Sequence, residues 1–171
     1  MLRHFLAAIA YRTQKALRGA PHSFAGFRAG TNVRTPHELI WHMTGVLGYA
    51  RTVFQGGVWQ PEKLATMDEE VRRFHEVLAD LGRLLERESP RQGITAEQLL
   101  QGPLADVMTH AGQLAMLRRL AGSPVPPENF MRARIQASNL GQDQPQPVAP
   151  DPGWSPDQPP PAPGKGVPKH W

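Results

Sequence analysis

Apolar residues recur along this chain at helical spacing, in four segments separated by clear stop signals. In the first, Leu2, Phe5, Leu6, Ile9, Thr13, Ala16 and Leu17 share one face. Gly19 and Pro21 then close it. The second opens at Thr35-Pro36-His37-Glu38, a capping box with proline at the first helical position, and runs to Gln55 before Gly56-Gly57. Its buried face is Leu39, Met43, Val46, Ala50 and Val53, with His42 at the edge and Tyr49 two turns on. Thr66 to Glu69 is a second capping box, opening a segment with Val71, Phe74, Leu78, Leu81 and Leu85 on one face. Thr95 to Gln98 is a third. Gly102-Pro103 should kink the chain there, so that a short helical piece precedes the long fourth segment, which ends at Gly122 and Pro124. The pattern predicts helices near 2–18, 36–55, 66–88 and 96–121. No alternating strand pattern occurs before residue 125. The expected fold is all-α, a four-helix bundle over residues 1–140.

After Leu140 the composition changes. Residues 141–171 hold ten of the eighteen prolines and almost no aliphatic side chains. This predicts an irregular, extended or disordered Pro-rich tail, with Trp154 and Trp171 available to pin it. A PxxP-type ligand from Pro156 or Pro160 onward is a weaker reading.

One stretch departs from simple amphipathicity. In PLADVMTHAGQLAMLRRLAG, Pro103 to Gly122, the core arc is marked by Val107, Leu114, Leu117 and Leu120. Asp106, His110 and Gln113 fall inside that arc, and Arg118 and Arg119 project away from it. A carboxylate and an imidazole on a core face are costly unless paired or bound to a metal. Their spacing of four places one above the other on a helix, which suits holding one ion between them. Asp106 also lies in the first turn after Pro103, where an acid favours the helix dipole, so the two readings stand side by side. His42 supplies a third ligand from another helix, and two histidines with one carboxylate leave positions open to water or substrate. Glu38, four residues before His42, is better explained by its capping box. His75 reads as a partly buried structural residue; His4, His22, His37 and His170 have no expected role in catalysis.

Composition narrows the chemistry. The chain has no cysteine, which excludes disulfides, thiolate metal sites and a cysteine nucleophile, and fits the cytoplasm. Net charge is +4 with the basic residues scattered, so no nucleic-acid partner is expected. No apolar run reaches membrane-spanning length, and the N-terminus reads as an amphipathic helix rather than a signal peptide.

Two stretches carry a family resemblance: TPHELIWHMTGVLGYAR, Thr35 to Arg51, and HAGQLAMLRRLAG, His110 to Gly122. Through them the helical body, residues 1–140, resembles the DinB/YfiT-like superfamily. The resemblance implies a divalent metal, often nickel or zinc, held by one histidine of the second helix and two of the fourth, the latter four residues apart. Carried over, the ligands are His42, Asp106 and His110. Asp106 stands where the family pattern most often has histidine. The carboxylate adds negative charge and hardness, which would favour zinc, iron or manganese over nickel, or leave a weak site.

The resemblance further implies a thiol S-transferase or hydrolase type of enzyme acting on a small molecule, with a low-molecular-weight thiol as a candidate cofactor, and a homodimer. Met108 and Met116, outside the core stripe, fit the dimer. Tyr49 and Gln113 are the candidates for facing the substrate or supporting a ligand; ordinary packing and a buried hydrogen bond to a ligand explain them equally well. The alternative is a non-catalytic dimeric binding protein in which the metal site has degraded to a polar network.

Overall fold

A computed structural model of the chain describes residues 1–151 and 153–156; the readings placed on Pro160 onward and on Trp171 lie outside the described residues. The fold is all-α. Four long helices, α1 (Leu2–Leu17), α2 (Pro36–Gln55), α3 (Met67–Arg87) and α5 (Ala105–Leu120), are joined by a short α4 (Ala96–Leu99) and two 3-10 turns, His22–Gly26 and Arg91–Gly93. Among the described residues there is no strand, only an isolated bridge between Glu128 and Pro150. Among the described residues no helix is long and apolar enough to cross a membrane.

The local signals act as their chemistry requires. At Thr35/Glu38, Thr66/Glu69 and Thr95/Gln98 the threonine side chain accepts from the third helical N–H, while the acid or amide side chain accepts from the threonine N–H. Each box satisfies two otherwise orphaned backbone donors. Between α4 and α5 the chain makes a π turn, Leu100–Leu104, with non-helical backbone at Gly102 (φ −88°, ψ −108°) ahead of Pro103. The proline removes a helical donor and the glycine absorbs the bend.

The long helices form a closed ring of neighbours, α1 with α3 and α5, and α2 with α3 and α5. Leu6, Ile9, Leu39, Ile40, Met43, Leu47, Phe74, Leu78, Leu81, Val107 and Leu114 fill its interior. Side-chain bonds fix the directions. Gln14 meets His75 at 2.8 Å and Arg3 pairs with Glu86, so α1 and α3 are antiparallel. Arg51 meets Asp80 at 3.6 Å, Gln55 at the end of α2 shares a pocket with Leu84 and Arg87 at the end of α3, and His37 and Glu69 interact at the two starts, so those helices run parallel.

Arg118 lies at the C-terminal ends of α1 and α5. Its guanidinium donates to the carbonyls of Ala16 at 2.9 Å, Arg18 at 3.1 Å and Ser123 at 2.8 Å. These bonds correct the sequence expectation: Arg118 is 3% exposed rather than outward-facing. The helix-end carbonyls of α1 lack helical partners and carry the negative end of the dipole, which makes them natural acceptors for a buried cation. Leu120, expected on the core arc, is exposed because α5 ends there, beyond the reach of α1.

Because α2 and α3 are parallel, the connection between them must return along the length of α2. A helix of that length spans about 30 Å, and residues 56–66 cover about 36–40 Å when extended, which is just enough. Trp59 lies against Gly48 and beneath the Arg51 guanidinium, 4.8 Å from its ring centre. Trp41 Nε1 donates to the Pro61 carbonyl at 3.0 Å. At the far end buried Glu70 accepts from Leu64 N at 2.6 Å and pairs with Arg73, which in turn donates to the Glu62 carbonyl at 2.9 Å.

Past α5 the chain runs irregularly over α1 and α3. Tyr11 Oη donates to Glu128 at 2.8 Å, Lys15 donates to the Pro126 carbonyl, and the Leu140 side chain packs on Gly82. Burial first, and Glu128 second, hold the Tyr11 hydroxyl protonated well above its ordinary range. Arg18 donates to the carbonyl of Gln144 at 2.7 Å, so the start of the Pro-rich segment is fastened to α1. Residues 141–151 and 153–156 contain no helix.

Two consequences can be measured. An interior helical Gly→Ala change ordinarily gains about 1 kcal/mol, but a Cβ at Gly48 would overlap the Trp59 indole. Gly48→Ala should therefore destabilise by about 1–3 kcal/mol, read as a lower urea midpoint with a displaced tryptophan emission maximum. His75 is buried, donating from Nδ1 to the Leu140 carbonyl at 2.7 Å and accepting at Nε2 from Gln14 at 2.8 Å. Burial drives its pKa down to about 4, against the opposing pull of the Leu140 carbonyl. The unfolded chain takes up this proton first. Stability present above about pH 6.5 should thus fall, by about 3 kcal/mol, as pH drops toward 4; His75→Gln should flatten that slope in pH-dependent denaturation.

Candidate metal centre

Two elements meet at the site. His42 comes from the N-terminal half of α2, and Asp106 and His110 from the first two turns of α5, directly after the Gly102-Pro103 bend. The bend redirects the chain so that the opening turns of α5 face α2. One ligand atom from each residue lies within 4.8 Å of the others, a group able to hold a metal ion. His110 Nε2 is 3.3 Å from Asp106 Oδ1. That is close to the ~3.4 Å edge of a tetrahedron built on zinc bonds of about 2.1 Å. The His42 and His110 rings meet edge to face, centroids 4.7 Å apart at 79°.

Gln113 faces the ring nitrogen of His110 that points away from Asp106. Its Oε1 lies 2.8 Å from His110 Nδ1, and with the amide in that orientation Nδ1 is the donor. In the neutral ring Nε2 then has a bare lone pair pointing at the Asp106 carboxylate. Two acceptors at that distance require a cation or a second proton between them. The His42 pKa is lowered, first by burial, then by Arg34 and His110, against the opposing pull of Asp106, which favours the neutral ring that a metal needs. Among the described residues no fourth His, Asp or Glu joins the group. Glu38 is occupied, its Oε2 accepting from Thr35 N at 2.8 Å and Thr35 Oγ1 at 3.0 Å.

The site differs from the core stripe read in the sequence. His110 is buried, but the Asp106 side chain is 48% exposed and Gln113 is exposed. Both stand on the rim of the α2–α5 seam, where the wheel angle alone placed them inside. A carboxylate there keeps solvation that a core position would deny it. Tyr49 is also exposed, at 62%, and lines the same cavity as His42 and Asp106.

His42 and Asp106 open onto a cavity of about 930 Å³. Trp41, Val46 and Tyr49 of α2, Trp59 and Pro61 of the crossover, and Gln101 to Pro103 of the bend line it. The two tryptophans are the functional candidates that the sequence pattern did not single out. The available signal was Gly48, a glycine within a helix that has no turn to make, which marks a close approach by another group.

No family model, curated protein or solved structure matches this chain.

Gln113 acts on the centre through His110. Gln113→Leu should leave the helical content unchanged, since the position is exposed. It should weaken zinc affinity by about 10–100-fold, measured by competition with a chromogenic chelator; unchanged affinity would mean that Gln113 does not orient the ligand.

Proposed function

We propose that this chain is a four-helix bundle of the DinB/YfiT-like type and a divalent-metal-dependent enzyme of thiol S-transferase or hydrolase chemistry, with His42, Asp106 and His110 as the metal ligands. The observation that carries the reading is the convergence of two imidazole nitrogens and a carboxylate oxygen, within 4.8 Å, beside a 930 Å³ cavity. The ring of helix neighbours supports the bundle, and the motifs around His42 and His110 support the family. Three protein ligands, without a fourth among the described residues, suit a catalytic rather than a closed structural site.

Zinc or nickel is the leading ion, with iron or manganese favoured further by the carboxylate. Such an ion supplies Lewis acidity and a lowered pKa for a thiol or water. The chain's own groups do the rest. His42 and His110 present neutral nitrogens, and Asp106 partly offsets the ion's charge. Gln113 holds the His110 Nδ1 proton, keeping Nε2 aimed inward. Tyr49, on the cavity wall, faces the substrate. Since the chain has no cysteine, a thiol nucleophile must arrive as a small molecule. The protein is read as a cytoplasmic homodimer, with exposed Met116 on the surface that would pair.

The test is a paired measurement on wild type and His110→Ala. Metal content and turnover, the latter read with a low-molecular-weight thiol and a chromogenic electrophile and with p-nitrophenyl acetate, should disappear together. Circular dichroism should stay helical, because the core rests on apolar packing. Equal turnover in both proteins would eliminate the metal mechanism. Absence of metal and turnover from both would favour the non-catalytic binding protein, with Asp106 and His110 as a polar pair.

A further inference from the structure

The cavity has a character that the metal ligands do not explain. Its walls are mostly carbon, and Trp41, Tyr49 and Trp59 supply much of them. Both indoles are held in place before any ligand arrives. Trp41 is fixed by its bond to the Pro61 carbonyl, and Trp59 is wedged between the Gly48 backbone and the Arg51 guanidinium. Arg51 is itself anchored by Asp80. Among the described residues no lysine or arginine lines the cavity; its charged lining groups are Glu62 and Asp106. An anionic body would therefore find no counter-charge on the walls, and a flexible chain would gain little from rigid flat surfaces.

We propose that this cavity selects small molecules with a neutral, planar, apolar body seated among Trp41, Tyr49 and Trp59, and with a polar donor end directed at His42 and Asp106. The position of the donor end rests on the metal reading above; the selection for a flat apolar body does not. His42 and Asp106 lie side by side in the lining of a mostly apolar pocket, and a few adjacent polar groups in such a lining fix a ligand's orientation.

The experiment has two arms, both by calorimetric titration of the full chain. On zinc-loaded protein, benzohydroxamate and acetohydroxamate share one metal-binding head and differ in the ring. Benzohydroxamate should bind about tenfold tighter. On protein stripped by chelation, 2-naphthol and 1-octanol share a hydroxyl head and differ in planarity, and 2-naphthol should bind tighter. Trp59→Ala should bring each pair to within about twofold. Tyr49→Ala, at an exposed position that folding tolerates, should narrow both differences if Trp59→Ala fails to fold. Loss of the hydroxamate signal with retention of the naphthol preference would sink the metal reading and leave this proposal standing. Equal binding within both pairs would overturn it, as would tighter binding of phenyltrimethylammonium than of 2-naphthol, which would make the cavity a cation cage.

Discussion

The parallel course of α2 and α3 is the constraint on which the rest of the molecule depends. Antiparallel helices can be joined by a few residues, whereas parallel ones require a chain that returns the full length of one of them. Residues 56–66 make that return over the face of α2 that also carries His42. The connection therefore becomes a wall. Trp59 and Pro61 stand beside Trp41, Val46 and Tyr49, and the cavity exists because the crossover cannot collapse onto the helix except where Gly48 lets the indole in. Its far end is held by the Glu70–Arg73 pair, a buried carboxylate satisfied by a backbone N–H and a guanidinium together.

A second bend completes the site from the opposite side. Had the segment from Ala96 to Leu120 been one straight helix, Asp106 and His110 would have followed the axis of α4. Gly102 and Pro103 break that axis, and α5 restarts with its first two turns against α2. The resulting arrangement sets a carboxylate oxygen and two imidazole nitrogens near one another, a group that needs a proton or a cation among them. With Gln113 on its Nδ1, His110 turns Nε2 toward Asp106. A proton on that nitrogen or a metal ion meets the need.

Elsewhere the chain buries charge in another way, by surrounding it with partners. Arg118 closes the C-terminal ends of α1 and α5 through carbonyl acceptors and sits 5.5 Å over the Phe24 ring. Tyr11 and Glu128 join α1 to the irregular segment, with Arg12 stacked 3.8 Å above Phe130 alongside. These contacts let a stretch without regular structure cover α1, because hydrogen bonds from side chains replace those that a helix would have provided for itself.

The sequence by itself determined the helices. The three capping boxes, the Gly102-Pro103 bend and the spacing of Leu and Val act within a few residues of each other, so their outcome is local and readable. It also marked His42, Asp106 and His110, since a polar residue on a predicted core face is legible as an anomaly. What it misplaced were the seam residues. Arg118 was turned outward and Asp106 and Gln113 inward, because a helical wheel gives an angle but not the edge of the neighbouring helix. Only the tertiary structure decided how the helices run relative to one another, that Trp59 reaches Gly48, and that His42 and Asp106 open onto an aromatic cavity. Those contacts join residues far apart in the chain, and their free energy comes from burial that exists only once the helices have packed.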